Sequence, residues 1–196
     1  MALKIFIMRH GETEWSVSGK HTGRVDIPLT ENGEREARQL GKRLASTTFD
    51  HVLVSPLQRA RQTCDLADCG ARAETEPDLI EWNNGDYEGQ THTDIFKKRP
   101  DWNLFRDGCP HGESPADISA RADRLIKRLV TLDGNVALFS HSHFGRVLGV
   151  RWIGLPVQAG QHFILNTASL SVLCYQHENV AAPAIESWNN HGSYGE

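Results

Sequence analysis

The sequence has few of the features that would place it in a membrane, a disulfide framework or a nucleic-acid complex. None of its apolar runs approaches the ~20 residues that span a bilayer. There are four cysteines, Cys64, Cys69, Cys109 and Cys174, with no CxxC pair and no regular spacing. That pattern excludes the common zinc and dithiol motifs and reads as free thiols in a reducing compartment. Positive charge is not in excess: 21 Lys+Arg against 25 Asp+Glu give −4, which argues against a broad surface for nucleic acid or anionic lipid. No repeat or low-complexity segment is present. The amino end shows neither a basic leader nor a small-residue cleavage site, so a cytoplasmic location is expected.

What remains is an ordinary globular composition, 39% hydrophobic and 23% charged over 196 residues. The expected organisation is a single domain over 1–196, with an irregular lid or insertion near 82–114. Residues 3–8 (LKIFIM) read as a buried strand. Thr30 sits at the N-cap of a helix over 31–46, with Ala37, Leu40, Gly41 and Leu44 on one face. A second strand over 51–55 ends at Pro56, and 57–68 reads as helix. A strand is expected near 72–75, a turn at Asn83-Asn84-Gly85 and a short helix near 92–98. Ser114-Pro115 starts a further helix carrying Ile118, Ala122, Leu125 and Leu129. Asp133-Gly134 turns into a strand over 136–140, followed by a helix over 144–153 and strands near 169–175 and 184–188. Short apolar strands alternating with amphipathic helices specify an α/β fold of three layers, α/β/α, around a mostly parallel central sheet.

Three of these strands finish in reactive residues: Arg9 and His10 after the first, Arg59 and Arg61 after the second, His141 after the strand over 136–140. In a parallel sheet those ends share one edge, where α/β folds hold ligands. Arginines clamp phosphate bidentately, an imidazole can attack phosphorus, and Gly11 lets backbone approach closely. Two arginines and two histidines converging make a site for a small, dense anion such as phosphate. Glu81 follows a short extended run and is the candidate proton donor, with Glu88 and Glu12 as alternatives. A donor carboxyl needs a pKa raised by burial or a neighbouring anion. A hydrogen bond from the second His10 nitrogen to a backbone carbonyl would fix the tautomer. His141-x-His143 has a spacing that metals use, but it has no partner nearby in sequence. No metal and no cofactor are therefore expected.

The segments FIMRHGETEW, HTGRVDIPLTENGEREA, VSPLQRARQT, EWNNGDYEG and LFSHSHFGR, in that order, resemble the histidine phosphatase superfamily, which includes the cofactor-dependent phosphoglycerate mutases. The resemblance implies a phosphoglycerate mutase-like fold. It further implies His10 as a nucleophile that becomes phosphohistidine, Arg9, Arg59 and His141 as the rest of the phosphate pocket, Glu81 as acid, and Thr22 and Gly23 as substrate contacts. Similarity to the subgroup of sedoheptulose-1,7-bisphosphatase and related sugar phosphatases adds Ser16, Arg24, Tyr87, Trp102 and Arg106 as selectivity positions. Ser142 stands where relatives have Gly. It is grouped with the substrate contacts, as is His143, which reads equally as reaching the substrate or capping the next helix. The implied activity is hydrolysis of small phosphorylated metabolites. A phosphoglycerate mutase is the alternative, disfavoured by a short segment after Glu81 and by Ser16 where mutases carry Asn. An inactive binding module is the reading from another class. The expected partner is a small phosphorylated substrate, with no nucleic acid and no membrane, and a homo-oligomer is left open.

Overall fold

Alternation along the first strand sets the layering. In β1 (Lys4–Arg9) Ile5 and Ile7 face one side and Phe6 and Met8 the other, as the two-residue period of a strand requires. Ile5 and Ile7 join a core with Leu138, Leu173 and the apolar stripes of α6 (Pro115–Leu129) and α7 (Ser142–Trp152). Met8 joins a second core with Val52, Val54 and Phe139. Leu40 of α2 (Glu31–Leu44) and Cys64 of α3 (Gln58–Leu66) close that core. Each such side chain stabilises the fold by about 1.5–3 kcal/mol relative to exposure.

The computed structural model describes residues 3–178 and 182–192. Its six-stranded sheet has the order β3-β2-β4-β1-β5-β6, with β2 (His51–Val54), β3 (Ala73–Thr75), β4 (Asn135–Ser140), β5 (Leu170–Tyr175) and β6 (Pro183–Asn190). Strands β1 to β4 are parallel, whereas β5 runs antiparallel to both β1 and β6. The architecture is the expected α/β fold with a mixed, mostly parallel sheet between helical layers. Among the described residues no helix is long and apolar enough to cross a membrane.

Register positions the chemistry. Arg9 lies beside Ser140, and Val54 beside Phe139, so β1, β2 and β4 end level at one edge. The His10 amide donates to the Ser140 carbonyl at 3.0 Å, which places His10 next to His141.

Several elements differ from the sequence reading. A short helix, α1 (Glu14–Ser18), lies between the first strand and the helix that starts after Thr30, where the sequence reading placed no element. It is too short for a periodic pattern and is started by a reciprocal cap between Thr13 and Ser16. Within 82–114 the expected short helix is α4 (His92–Lys98) and the expected turn leads into a 3-10 turn at Gly85–Tyr87, while α5 (Leu104–Asp107) is additional. Trp82, Ile95, Trp102 and Phe105 of this stretch are buried in the first core. Helix α7 starts two residues earlier than its apolar pattern, because the polar Ser142 and His143 are also helical.

Candidate active site

His10 sits immediately after β1, nearly enclosed at 5% exposure. Its Nδ1 lies 2.7 Å from the Gly11 carbonyl, so Nδ1 carries the proton and Nε2 keeps its lone pair. This is the tautomer-fixing bond expected from the sequence. Burial, then the charges of Arg59 and Arg9, hold its pKa well below the ordinary histidine range, so the ring is neutral. Gly11 is required here: a Cβ on it would meet the Gly33 carbonyl oxygen of α2. Its amide donates to Thr63 Oγ1 of α3 at 3.0 Å, which ties the His10 loop to the arginine-bearing helix.

Arg59, in the first turn of α3, is fully buried. Its fork is aimed by main-chain carbonyls: Nη1 donates to Val25 and Nη2 to Gly23, each at 2.9 Å. The loop over 23–25 is itself held by Glu88, whose carboxylate accepts from the amides of Gly23, Arg24 and Val25. Arg9 donates from Nη1 to the Leu165 carbonyl at 2.6 Å, and burial lowers its pKa to about 10. His141 is fully buried 5.3 Å from His10, ring centre to ring centre, with Nε2 2.7 Å from Ser55 Oγ. Burial, then Arg59, keeps it neutral. Arg9 Nε, Arg59 Nε and His141 Nδ1 are buried without a partner. Buried nitrogens of this kind are rare in native proteins and suit a dense anion beside His10.

Glu81 is not in the state expected of an acid. Its Oε1 accepts from the amides of Trp82 and Phe144, each at 2.8 Å, and its Oε2 from the amide of His143 at 3.0 Å. It therefore caps the N-terminus of α7, which favours a carboxylate. Burial opposes that charge, but hydrogen bonding, the neighbouring His143 and His141 and the Trp82 amide outweigh it and hold the pKa well below the usual range. Of the alternative donors, Glu88 is committed to the loop over 23–25, and Glu12 accepts from Thr30 Oγ1 and Asn32 Nδ2.

A cleft of about 250 Å³ opens over Arg9, His10 and Glu81. Ser16, Thr22, Ser142 and His143 line it, as the sequence suggests, and Trp15, Gly19, Lys20 and His21 complete the wall. Gly23 is buried and contributes through its carbonyl on Arg59; a Cβ there would lie 2.5 Å from the Trp82 carbonyl. Tyr87 and Trp102 are buried, stacked edge to face at 5.1 Å, with Trp102 backing His21 at 5.4 Å. Both stand behind the wall rather than in it. Arg24 and Arg106 do not line the cleft: Arg24 faces Glu113 at 3.5 Å, and Arg106 bonds Asp107. His21 and Trp15 lie inside the matched segments HTGRVDIPLTENGEREA and FIMRHGETEW, which assign neither of them to substrate, and Gly19 and Lys20 lie outside every such segment. Burial, then His143 and His92, lower the His21 pKa to about 3. Among the described residues no group of three or more His, Cys, Asp or Glu is placed to hold a metal ion, and all four cysteines are free.

Comparison with known proteins agrees with this geometry. A profile of the histidine phosphatase superfamily (branch 1) matches residues 5–191. An acid phosphatase of Mycobacterium tuberculosis is 37% identical, over 89% of this chain and 87% of its own. A sedoheptulose 1,7-bisphosphatase of Saccharomyces cerevisiae is 31% identical, over 93% and 91%. A solved structure of an open reading frame product from Mycobacterium tuberculosis superposes with a TM-score of 0.90 at 33% identity, covering 95% of this chain and 97% of that one. With the RHG loop, the RARQT helix and the second histidine on one sheet edge, the chain is an enzyme of the histidine phosphatase superfamily, branch 1.

Proposed function

We propose that this enzyme hydrolyses small phosphorylated metabolites, sugar phosphates foremost, through a phosphohistidine on His10 and without a metal ion. One observation carries the reading: a neutral imidazole with Nε2 free, beside the unpartnered nitrogens of Arg9, Arg59 and His141. In the first half-reaction His10 Nε2 attacks phosphorus and the ester oxygen departs with a proton. Arg9, Arg59 and His141 stabilise the charge on the three remaining oxygens. In the second half, water attacks the phosphohistidine and releases phosphate. The proton moves at the corner of the cleft formed by Glu81 and its neighbours on α7. The names of the two relatives, an acid phosphatase and a sugar bisphosphatase, favour hydrolysis of this substrate class.

The test combines trapping and substitution. Acid-free quenching followed by mass spectrometry should find a phosphoryl group on His10. His10→Ala should lose at least about 10³-fold in turnover while keeping its melting temperature. Turnover should persist in EDTA. An adduct on another residue, or a near-normal rate in His10→Ala, would remove the proposal; loss in EDTA restored by a divalent metal would remove its metal-free part.

A further inference from the structure

The cleft carries one ammonium group, that of Lys20, and it stands in the wall rather than on the phosphate floor. Main-chain bonds fix where its side chain starts. Gly19 closes α1 in the left-handed conformation, at φ 68°, and the Lys20 amide donates to the Trp15 carbonyl at 2.9 Å. Lys20 then pairs antiparallel with Thr91. Beside that bridge the His21 amide donates to the Gln90 carbonyl and the Gly89 amide to the His21 carbonyl, each at 2.9 Å. The ammonium lies over the Trp15 ring, 5.8 Å from its centroid, within reach of a cation–π attraction. Trp15 is in turn backed by main chain: a Cβ on Gly89 would come within 3.1 Å of the indole. Both side chains line the cleft, so the ring keeps the charge at the cleft wall.

Cations elsewhere around the wall are paired. Arg24 faces Glu113 at 3.5 Å, Lys97 faces Asp94 at 3.7 Å and Arg106 faces Asp107 at 2.8 Å. Among the described residues Lys20 forms no ion pair. Glu81, the one carboxylate among the described residues that line the cleft, has both oxygens committed to main-chain amides. A substrate anchored by its phosphoryl group at His10 therefore meets an uncompensated positive charge along its leaving group.

We propose that Lys20, held by Trp15, recognises a second anionic group on the leaving group, so that the enzyme favours phosphorylated sugars carrying a further phosphate or carboxylate over neutral sugar monophosphates. This rests on the phosphatase reading above and narrows its substrate class. Lys20 is exposed. Its attraction is therefore screened by salt, and it acts on binding rather than on the chemical step.

The experiment measures kcat and KM for the parent, Lys20→Met, Lys20→Glu and Lys20→Arg. The substrates are a hexose bisphosphate, a phosphogluconate, a hexose monophosphate and p-nitrophenyl phosphate. Lys20→Met should raise KM for substrates with a second anion about fivefold. Lys20→Glu should raise it further, and Lys20→Arg least. KM for the hexose monophosphate and the aryl ester should move by less than about twofold. Added KCl should raise KM for the doubly anionic substrates more in the parent than in Lys20→Met. Sensitivity confined to the bisphosphate identifies a phosphate as the group read, and sensitivity confined to the phosphogluconate a carboxylate. If Lys20→Met and Lys20→Glu shift KM for charged and neutral leaving groups by the same factor, or shift none, Lys20 does not read a second anion. Turnover of p-nitrophenyl phosphate with a phosphoryl group trapped on His10 keeps that failure separate. Absence of both in the parent would instead remove the phosphatase reading.

Discussion

The floor of the cleft and its wall are held by different kinds of bond. On the floor and just beneath it, His10, Arg9 and the fully buried Arg59 are each fixed by a main-chain carbonyl, from Gly11, Leu165, and Gly23 and Val25. In the wall, His21 is positioned by ring contacts with His143, His92 and Trp102, and its Nδ1 is unpartnered. Main-chain bonds fix direction to within a few tenths of an ångström and survive changes in neighbouring side chains. Ring packing fixes a plane but tolerates rotation and substitution. On the proposed function, the floor would hold one phosphoryl group and the wall would meet the varied leaving group.

The sharpest way to break this contrast is at Arg59. Arg59→Ala should lower kcat on p-nitrophenyl phosphate by about 10²–10³. Arg59→Lys should recover little, because an ammonium cannot bridge both the Gly23 and Val25 carbonyls while facing phosphate. Steady-state kinetics with thermal melting checks this. A lysine variant within about threefold of the parent would mean that charge alone, and not the main-chain fork, sets up the floor.

Much of the floor was legible in the sequence because it follows from strand ends. Apolar runs that stop at Arg9-His10 and at His141 place those residues at one edge as soon as the strands are parallel, and the register of Arg9 with Ser140 does the rest. Glu81 was legible as a position but not as a chemical state. Its protonation is decided by the first turn of α7, some sixty residues on, whose polar start at Ser142 and His143 escaped an apolar pattern that begins at Phe144. The wall was legible only in part. Helix α1 is held by the Thr13–Ser16 cap rather than by periodicity, so no apolar pattern turns Trp15 toward the cleft, and Lys20 follows the helix outside any motif. Arg24 and Arg106 rest on the subgroup resemblance alone, which carries no information about their local partners. Glu113 and Asp107, which occupy them, come close only in three dimensions or in a local turn.

Acid should weaken the floor and the wall together. His10 and His141 are neutral in the fold, and His21 has a pKa of about 3. All three lie below the ordinary value near 6.5, so the unfolded chain binds more protons and stability rises with pH. Their stabilisation is present above about pH 6.5 and is lost progressively as pH falls below it. Glu81 acts in the same direction lower down, its contribution disappearing as pH drops below the ordinary carboxylate range. Between pH 7.5 and 5.5 each buried neutral histidine should withdraw about 1 kcal/mol. Urea midpoints at the two pH values measure the sum, and an unchanged midpoint would mean that these rings are charged in the fold. Repeating the series in His21→Phe isolates the share of the wall, which should be the smaller part.

The smallest effect, and the most discriminating, is expected at His21 itself. The side chain lines the cleft without bonding to His10, Arg9 or Arg59, and its ring plane is shared with His143 at 10°. Removing it takes away one contact face for the leaving group and leaves every carbonyl bond of the floor in place. His21→Ala should therefore raise KM for a sugar phosphate by roughly fivefold, equivalent to about 1 kcal/mol of contact, with a smaller change in kcat. The KM of a compact substrate such as a short alkyl phosphate should move less, because it does not reach the wall. Kinetics on both substrates decides the matter. If kcat falls more than KM rises, and equally for both, His21 acts on the phosphoryl group through His143, and the division between a fixed floor and an adaptable wall does not hold at that corner.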